Sequence, residues 1–346
     1  MGDTLWGTPS IRAIKKKIPQ VEIDLLLQPQ WQSLFHNNKN IRSLIPYYPQ
    51  WYYQLKVLSK VITTHYDHVL IFHANKDIRR ILPFLRSPSI LSHQATHGYW
   101  RSREKLSINH PDNLKNKIIK FKKPVHGILR RIELIKNINI PSNGTHMDIF
   151  LEEKDNNEAI KFLSINNIRP KNFIYLNIGG SIIQKQWPVD KFISLSKTIL
   201  RETSLSIVLG GGPEDMARVE FIQNQLSHNR ITSTKNRSLK KNCALINQSK
   251  VLITPDSGPM HVGFALKVPT IALFWTTDNK GIARNDLNGP DYCGPLEIDK
   301  SLYSVLRGGF VDIGTKKNWM AWNNPEHLFS KTIVAEDVWQ ELIKYI

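Results

Sequence analysis

The sequence predicts an α/β protein built on a parallel, doubly wound sheet. In the second half of the chain, apolar runs of strand length alternate with segments whose apolar residues recur every three or four positions. Turns rich in glycine or containing proline separate these segments. Strands that alternate with helices in this way form parallel sheets, whose ligands bind outside the carboxyl ends of the strands.

The elements of the second half follow one another from Phe173 to the end of the chain. A short apolar run predicts each strand, and aligned apolar residues predict each helix. The strands are expected at 173–178, 205–210, 251–254 and 270–275, and the helices at 189–200, 214–226, from Pro259 onward and at 332–346, with 239–247 continuing the series. The terminal helix has an apolar stripe of Val334, Val338, Leu342 and Tyr345.

The front half repeats this pattern less regularly. Helices are expected at 9–17 and 75–85, strands at 21–27 and 68–73, and an irregular basic segment at 86–125. A chain of 346 residues can form two domains, each with its own core. The polar stretch between 145 and 170 separates the halves, so we expect domains at 1–155 and 165–325, followed by a C-terminal helix at 326–346.

The composition is that of a soluble globular protein, with 41% hydrophobic and 22% charged residues. No apolar run approaches the roughly 18 residues of a membrane span, and no apolar segment typical of a signal peptide precedes the first basic run. The two cysteines, Cys243 and Cys293, match no metal or redox spacing. We therefore expect a cytoplasmic protein.

The net charge of +18 is concentrated in the front half. Residues 1–150 contain 23 Lys and Arg against 9 Asp and Glu, whereas residues 151–346 contain 24 against 20. A basic half favours an anionic partner, such as nucleic acid, anionic lipid or a phosphorylated glycan. A solvated face in a lysine-rich protein would explain the same composition.

The segment 251–275 reads as a strand, a turn, a helix and a second strand, with an anion site at the turn. Pro259 is typical of a first helical residue, and the N–H groups of a first helical turn can receive a phosphate. Gly258 allows close approach of the ligand, and His261 adds a possible donor. Alternatively, Ser257 only caps the helix and His261 is a surface residue.

Two further glycine-rich turns end strands of the second half. In GGSIIQKQWP, residues 179–188, Lys185 can reach a phosphate, although a structural loop with a solvated lysine fits equally well. In GGGPED, residues 210–215, Glu214 or Asp215 can cap the next helix while presenting a carboxylate to ribose hydroxyls. The spacing differs from G-x-G-x-x-G, so a nicotinamide enzyme is not favoured.

Four ordered motifs resemble those of glycosyltransferase family 9, which contains the ADP-heptose:lipopolysaccharide heptosyltransferases. They are Gly-Asp near the start within MGDTLWGTPSIRAIKK, then K-Q-W-P, G-G-P-E-D and D-S-G-P-M-H, the last followed by V-P-T-I-A-L-F. The resemblance covers most of the chain in order and is weak over 276–324. It implies the GT-B fold, in which two Rossmann-like domains face a cleft.

The resemblance also implies an inverting glycosyltransferase and assigns roles to individual residues. Asp3 would be the base that deprotonates the acceptor hydroxyl, an inverting transfer needing one such carboxylate. Lys185 would bind the donor diphosphate, Glu214 the nucleoside, and Asp256, Ser257, Gly258 and His261 the donor pocket. No acidic metal-ligand cluster is evident, so neither metal nor other cofactor is expected. The donor would be a nucleotide sugar, most simply ADP-heptose.

The expected acceptor is an anionic, lipid-linked saccharide at the inner face of the cytoplasmic membrane, where the protein could bind peripherally. Nucleic acid is a less favoured partner.

Family members begin with an apolar strand before Gly-Asp, whereas this sequence starts at Met1-Gly2. We therefore expect a first domain without its first strand, and an upstream coding frame that adds about eight to twelve residues. Considered apart from the resemblance, an aspartate at position 3 would be a disordered terminal residue. The alternatives are a transferase of this family with another sugar and acceptor, and a catalytically impaired basic binding protein.

Overall fold

The computed structural model describes residues 1–48, 50–73, 81–93, 115–121, 125–180, 185–235, 237–274, 290–296, 301–308 and 333–346. Its strands, β1 to β11 in chain order, are Asp24–Leu27, Ser43–Pro46, Val69–Ile71, Ser89–His93, Lys115–Ile119, Phe173–Asn177, Ser206–Gly210, Ile231–Ser233, Val251–Pro255, Thr270–Phe274 and Tyr303–Arg307. Its α-helices are Gly2–Leu5, Thr8–Lys17, Pro29–Gln32, Trp51–Thr63, Gly127–Lys136, Glu153–Ile165, Val189–Glu202, Met216–Leu226, Leu239–Gln248, Gly258–Ala265, Pro290–Cys293 and Ala335–Leu342. Short 3-10 helices lie at Leu82–Phe84 and Pro213–Asp215.

The chain divides into two compact units. One contains most of residues 1–150 together with the helix Pro290–Cys293, and the other contains most of the rest. All strand pairs between described strands are parallel. Among the described residues, no helix has both the length and the apolar composition to cross a bilayer.

The second unit is built on a six-stranded sheet in the order β11-β10-β9-β6-β7-β8. The strands β6, β7, β9 and β10 are buried along their whole length, because helices cover both faces of a sheet of this kind. The strand order reverses between β9 and β6, which creates a switch point at their carboxyl ends. The predicted strands and helices between residues 173 and 275 are confirmed, each within a few residues of its expected ends.

One apolar core joins the sheet of the second unit to its helices. The fully buried Trp187, Phe192 and Val338 belong to this core, the last of these from the terminal helix. That helix, predicted at 332–346, covers Ala335–Leu342, and residues 326–332 of the predicted third segment lie outside the described residues. Val334 is 44% exposed, so it does not belong to the buried stripe, since it precedes the first helical turn.

The first unit contains two smaller parallel sheets, β1-β2 and β3-β4-β5. Within residues 1–48, all of which are described, no strand precedes β1. Among the described strands, β1 pairs with β2 and β3 pairs with β4, and no strand joins the two sheets. Side chains connect them instead, since the Tyr66 hydroxyl donates to Asp24 Oδ2 at 2.9 Å.

Several predictions for the first unit were wrong or fall outside the described residues. The segment 86–125, expected to be irregular, contains β4 and β5, because backbone pairing between neighbours stabilises a strand regardless of its basic composition. Residues 75–80 of the helix expected at 75–85 lie outside the described residues, and a 3-10 helix follows at Leu82–Phe84. The pattern also missed β2 and the helices Trp51–Thr63 and Gly127–Lys136.

Candidate functional site

The loop after β6 places Lys185 next to Asp256. Residues 179–180 and 185–188 of this loop are described, and residues 181–184 are not. Lys185 Nζ lies 2.5 Å from Asp256 Oδ2, and the two side chains are only 14% and 4% exposed. The two residues meet because β6 and β9 are neighbours whose carboxyl ends share one edge of the sheet. The alternative of a solvated lysine is therefore wrong.

Asn177, at the end of β6, ties this loop to the turn after β9. Its side-chain amide donates to the carbonyl of Gly179 at 3.0 Å, to the Thr254 hydroxyl at 3.1 Å and to the Ser257 hydroxyl at 3.0 Å. Asn177 is 2% exposed. We did not single it out from the sequence, although an amide that ends an apolar strand is a visible signal.

The turn after β9 leads directly into the helix Gly258–Ala265. Ser257 precedes this helix in an extended conformation, and its side chain makes no capping hydrogen bond. Its hydroxyl contacts Asn177 and Thr254 instead, so the alternative that Ser257 only caps the helix is wrong. Gly258 and Pro259 open the first turn, in which the Met260 N–H donates to the carbonyl of Ser257 at 3.2 Å. The first N–H groups of a helix have no acceptor within the helix itself.

His261 lies in the first turn of this helix and is 4% exposed. Its ring packs edge to face with Phe264, with 6.3 Å between the ring centroids. The alternative of a surface histidine is therefore wrong. Its predicted role at the donor remains a prediction.

The glycine-rich turn after β7 separates the roles of its two acidic residues. Asp215 is buried, and its Oδ2 accepts from the backbone N–H of Gly212 at 2.9 Å. Burial raises the pKa of the Asp215 carboxyl, and the Gly212 N–H acts against that shift. Asp215, and not Glu214, caps this turn. Glu214 is exposed, so the Glu214 carboxylate remains at the surface of the turn. Nucleoside binding by Glu214 stays a prediction.

In the first unit, Asp3 lies within the short helix Gly2–Leu5. Arg131 Nη2 donates to the backbone carbonyl of Asp3 at 3.0 Å and lies 3.9 Å from its Oδ1. The Asp3 side chain is 57% exposed, whereas that of Arg131 is 2% exposed. Asp3 is thus held by a buried guanidinium, and the expectation of a disordered terminal residue is wrong.

Three basic residues interact electrostatically with the Asp3 carboxylate. Burial lowers the pKa of Arg131 to about 10 and also lowers the pKa values of Arg130 and His73, while Asp3 acts in the opposite direction on all three. The Arg131 guanidinium also lies 5.2 Å from the centroid of the Trp6 ring. The sequence did carry a signal for Arg131, which interrupts the apolar stripe of its helix between Ile128 and Ile135.

Comparison with known proteins decides the family. A model described as glycosyltransferase family 9 (heptosyltransferase) matches residues 90–286, which is more than half of the chain. The chain belongs to glycosyltransferase family 9. This family 9 protein is therefore a glycosyltransferase, as its motifs predicted.

Known relatives agree with this assignment. The family 9 chain is 25% identical over 296 residues to lipopolysaccharide heptosyltransferase 3 of Escherichia coli (strain K12), covering 80% of each protein. A glycosyltransferase family 9 structure from Veillonella parvula matches 100% of this chain and 94% of its own, with a TM-score of 0.75 and 21% identity. ADP-heptose lps heptosyltransferase II of E. coli matches 99% of this chain and 94% of its own, with a TM-score of 0.72 and 18% identity. The fold is accordingly the two-domain, Rossmann-like GT-B fold.

The second unit of this family 9 glycosyltransferase brings most of the predicted donor residues to one edge of its sheet. Lys185 forms an ion pair with Asp256, and Asn177 donates a hydrogen bond to the Ser257 hydroxyl. A cation beside a helix N-terminus is an arrangement that stabilises a diphosphate as it leaves. Asp3 belongs to the other unit, where its exposed carboxylate can accept a proton.

Proposed function

We propose that this chain transfers heptose from ADP-heptose to a saccharide of the lipopolysaccharide core, with inversion at the anomeric carbon. The buried pair of Lys185 and Asp256 at the switch point of the second unit carries the donor side of this proposal. Support for the donor and acceptor comes from the similarity to two E. coli proteins, lipopolysaccharide heptosyltransferase 3 and ADP-heptose lps heptosyltransferase II.

The donor would bind to the domain at 165–325. Lys185 donates to the diphosphate, and the first N–H groups of the helix Gly258–Ala265 add donors without a metal. Ser257 and His261 line the same pocket, and Glu214 binds ribose hydroxyls from the next turn. These groups stabilise the charge that develops on the leaving nucleotide, which lowers the barrier to breaking the glycosidic bond.

The acceptor would bind to the domain at 1–155. Asp3 takes the proton of the acceptor hydroxyl as that oxygen attacks the anomeric carbon from the face opposite the leaving diphosphate. The surplus of basic residues in this half favours an anionic acceptor. A lipid-linked saccharide at the cytoplasmic face of the inner membrane meets this requirement and implies peripheral membrane binding.

A donor and acceptor screen tests the proposal. The chain is incubated with single nucleotide sugars, ADP-heptose among them, and with heptose-free core acceptors, and products are identified by mass spectrometry. Transfer of heptose from ADP-heptose supports the proposal. Transfer of another sugar would assign a different substrate within family 9. If neither transfer nor donor hydrolysis occurs while the chain binds anionic glycan, it acts as a binding protein.

A further inference from the structure

Arg218 bridges the two ends of the loop that carries Lys185. This arginine lies in the helix Met216–Leu226, one turn after the glycine-rich turn. Its Nη1 donates to the carbonyl of Ile178 at 3.0 Å, and its Nη2 donates to the carbonyl of Trp187 at 2.9 Å. Ile178 immediately precedes the loop and Trp187 immediately follows Lys185 and Gln186. One planar guanidinium therefore fixes the separation between the loop's two ends.

The same turn also contacts the start of the loop. A Cβ atom on Gly179 would lie 2.0 Å from Asp215 Oδ2, so the carboxylate packs directly against the glycine backbone. Asp215 Oδ1 lies 3.9 Å from Arg218 Nη1 and so faces the guanidinium that holds the loop. The turn proposed to bind the nucleoside is thereby linked to the loop proposed to bind the diphosphate.

The chemistry of this bridge requires arginine. Its guanidinium has donors in a fixed fork, so it can donate to two carbonyls in different directions at once, whereas an ammonium is a compact point charge. Burial lowers the pKa of Arg218, with Asp215 acting against the shift. The Arg218 side chain is 24% exposed, so its two carbonyl contacts lie mostly away from water.

Besides the Lys185–Asp256 pair and the hydrogen bonds of Asn177, the described part of the loop has local contacts of its own. Gln186 Nε2 donates to the carbonyl of Gly180 at 3.1 Å, and a Cβ atom on Gly180 would lie 3.1 Å from the Lys185 carbonyl. These contacts hold the loop's two sides together but do not connect it to another helix. Among the described residues, Arg218 supplies such a connection through both flanking carbonyls.

We propose that Arg218 is a positioning residue, which holds Ile178 and Trp187, at the two ends of the loop, so that Lys185 is presented to the donor diphosphate. The inference rests on the proposed function for the identity of the ligand. In this proposal Arg218 does not contact the substrate and acts only through Lys185.

The test compares Arg218→Lys with Arg230→Lys as a matched control. Arg230 also donates to main-chain carbonyls, those of Leu200, Thr203 and Leu205, but at the opposite ends of the strands. ADP and adenosine binding are measured by calorimetry for both variants, for Lys185→Met and for the double variant of positions 185 and 218. Hydrogen exchange of the loop amides is measured in the same proteins without ligand.

We expect Arg218→Lys to weaken ADP binding at least tenfold, to leave adenosine binding within twofold, and to speed exchange of the loop amides. The double variant should bind ADP within twofold of Lys185→Met, because both changes remove the same contact. Arg230→Lys should leave ADP binding and loop exchange unchanged.

Three results would overturn the assignment. Unchanged loop exchange in Arg218→Lys would show that the bridge does not order the loop. An additive loss of ADP affinity in the double variant would show that Arg218 acts independently of Lys185. Equal losses in the two arginine variants would indicate general destabilisation. If the unmodified chain binds neither ADP nor ADP-heptose, the proposed function fails, while the exchange data still decide whether Arg218 orders the loop.

Discussion

Replacing Lys185 by methionine tests the donor site most directly. Methionine keeps a long unbranched side chain in the loop but removes the ammonium that lies 2.5 Å from Asp256. At the proposed donor site, the variant would lose a charged donor to the diphosphate of ADP. It also loses the cation that balances Asp256 beside the same ligand, so both effects weaken binding.

The magnitude follows from the kind of contact. A hydrogen bond to a charged group contributes about 1.5 to 3 kcal/mol, which corresponds to a loss of about 10- to 150-fold in ADP affinity. The Asp256 carboxylate is 4% exposed, and removal of one partner from a buried ion pair destabilises a protein by about 3 to 5 kcal/mol. Lys185 itself is 14% exposed, so we expect the lower end of that range and a reduced melting temperature.

Two further variants separate binding from stability. Lys191→Met removes a nearby lysine that donates to the carbonyl of Ile333 at 3.0 Å, outside the loop, and it should leave ADP affinity unchanged. Combining Lys185→Met with Asp256→Asn should restore part of the lost melting temperature but not the affinity. Calorimetry with ADP, on variants shown to be folded by circular dichroism, provides the measurement. Equal affinity of Lys185→Met and the unmodified chain would refute the assignment of Lys185 to the diphosphate.

The remaining predictions concern catalysis, packing and pH. Asp3→Asn should lower kcat at least about 100-fold, because it removes the proposed general base. The affinity for ADP should stay within about twofold, because the donor site is unchanged. Retained turnover would show that Asp3 is not the base. Gly179→Ala should destabilise the protein by about 1 to 3 kcal/mol, since the new methyl group would collide with Asp215 Oδ2, and an unchanged melting temperature would contradict that packing. Stability should fall as the pH rises above 9, because burial raises the pKa of Cys243 to about 12 and the unfolded thiol ionises first. At pH 10.5 the loss from this thiol is about 2 kcal/mol, measurable as a lower urea midpoint than at pH 8, and Cys243→Ala should reduce the difference.

The sequence by itself predicted the second unit well because its local signals agree. The strand 173–177 is apolar up to its last residue, the helix at 189–202 has a clear apolar face, and a glycine-rich turn ends each of β6 and β7. The ordered motifs then indicated the family, which the family model confirmed. Prediction was poorer in the first unit, where β5 is short and basic and depends on pairing with β4. Backbone pairing of that kind leaves little trace in the order of side chains.

Only the tertiary structure showed which predicted residues contact one another and which residues support them. The pairing of Lys185 with Asp256 depends on β6 and β9 being neighbours, although the two residues lie far apart in the sequence. Arg131 and Asp3 are likewise distant in the sequence but in contact in the fold. Arg218 is also distant in the sequence from the two carbonyls to which it donates. A motif records the types of side chain at fixed spacings along the chain. Contacts with main-chain carbonyls do not depend on the side chain of the acceptor residue, so the fold alone decided them.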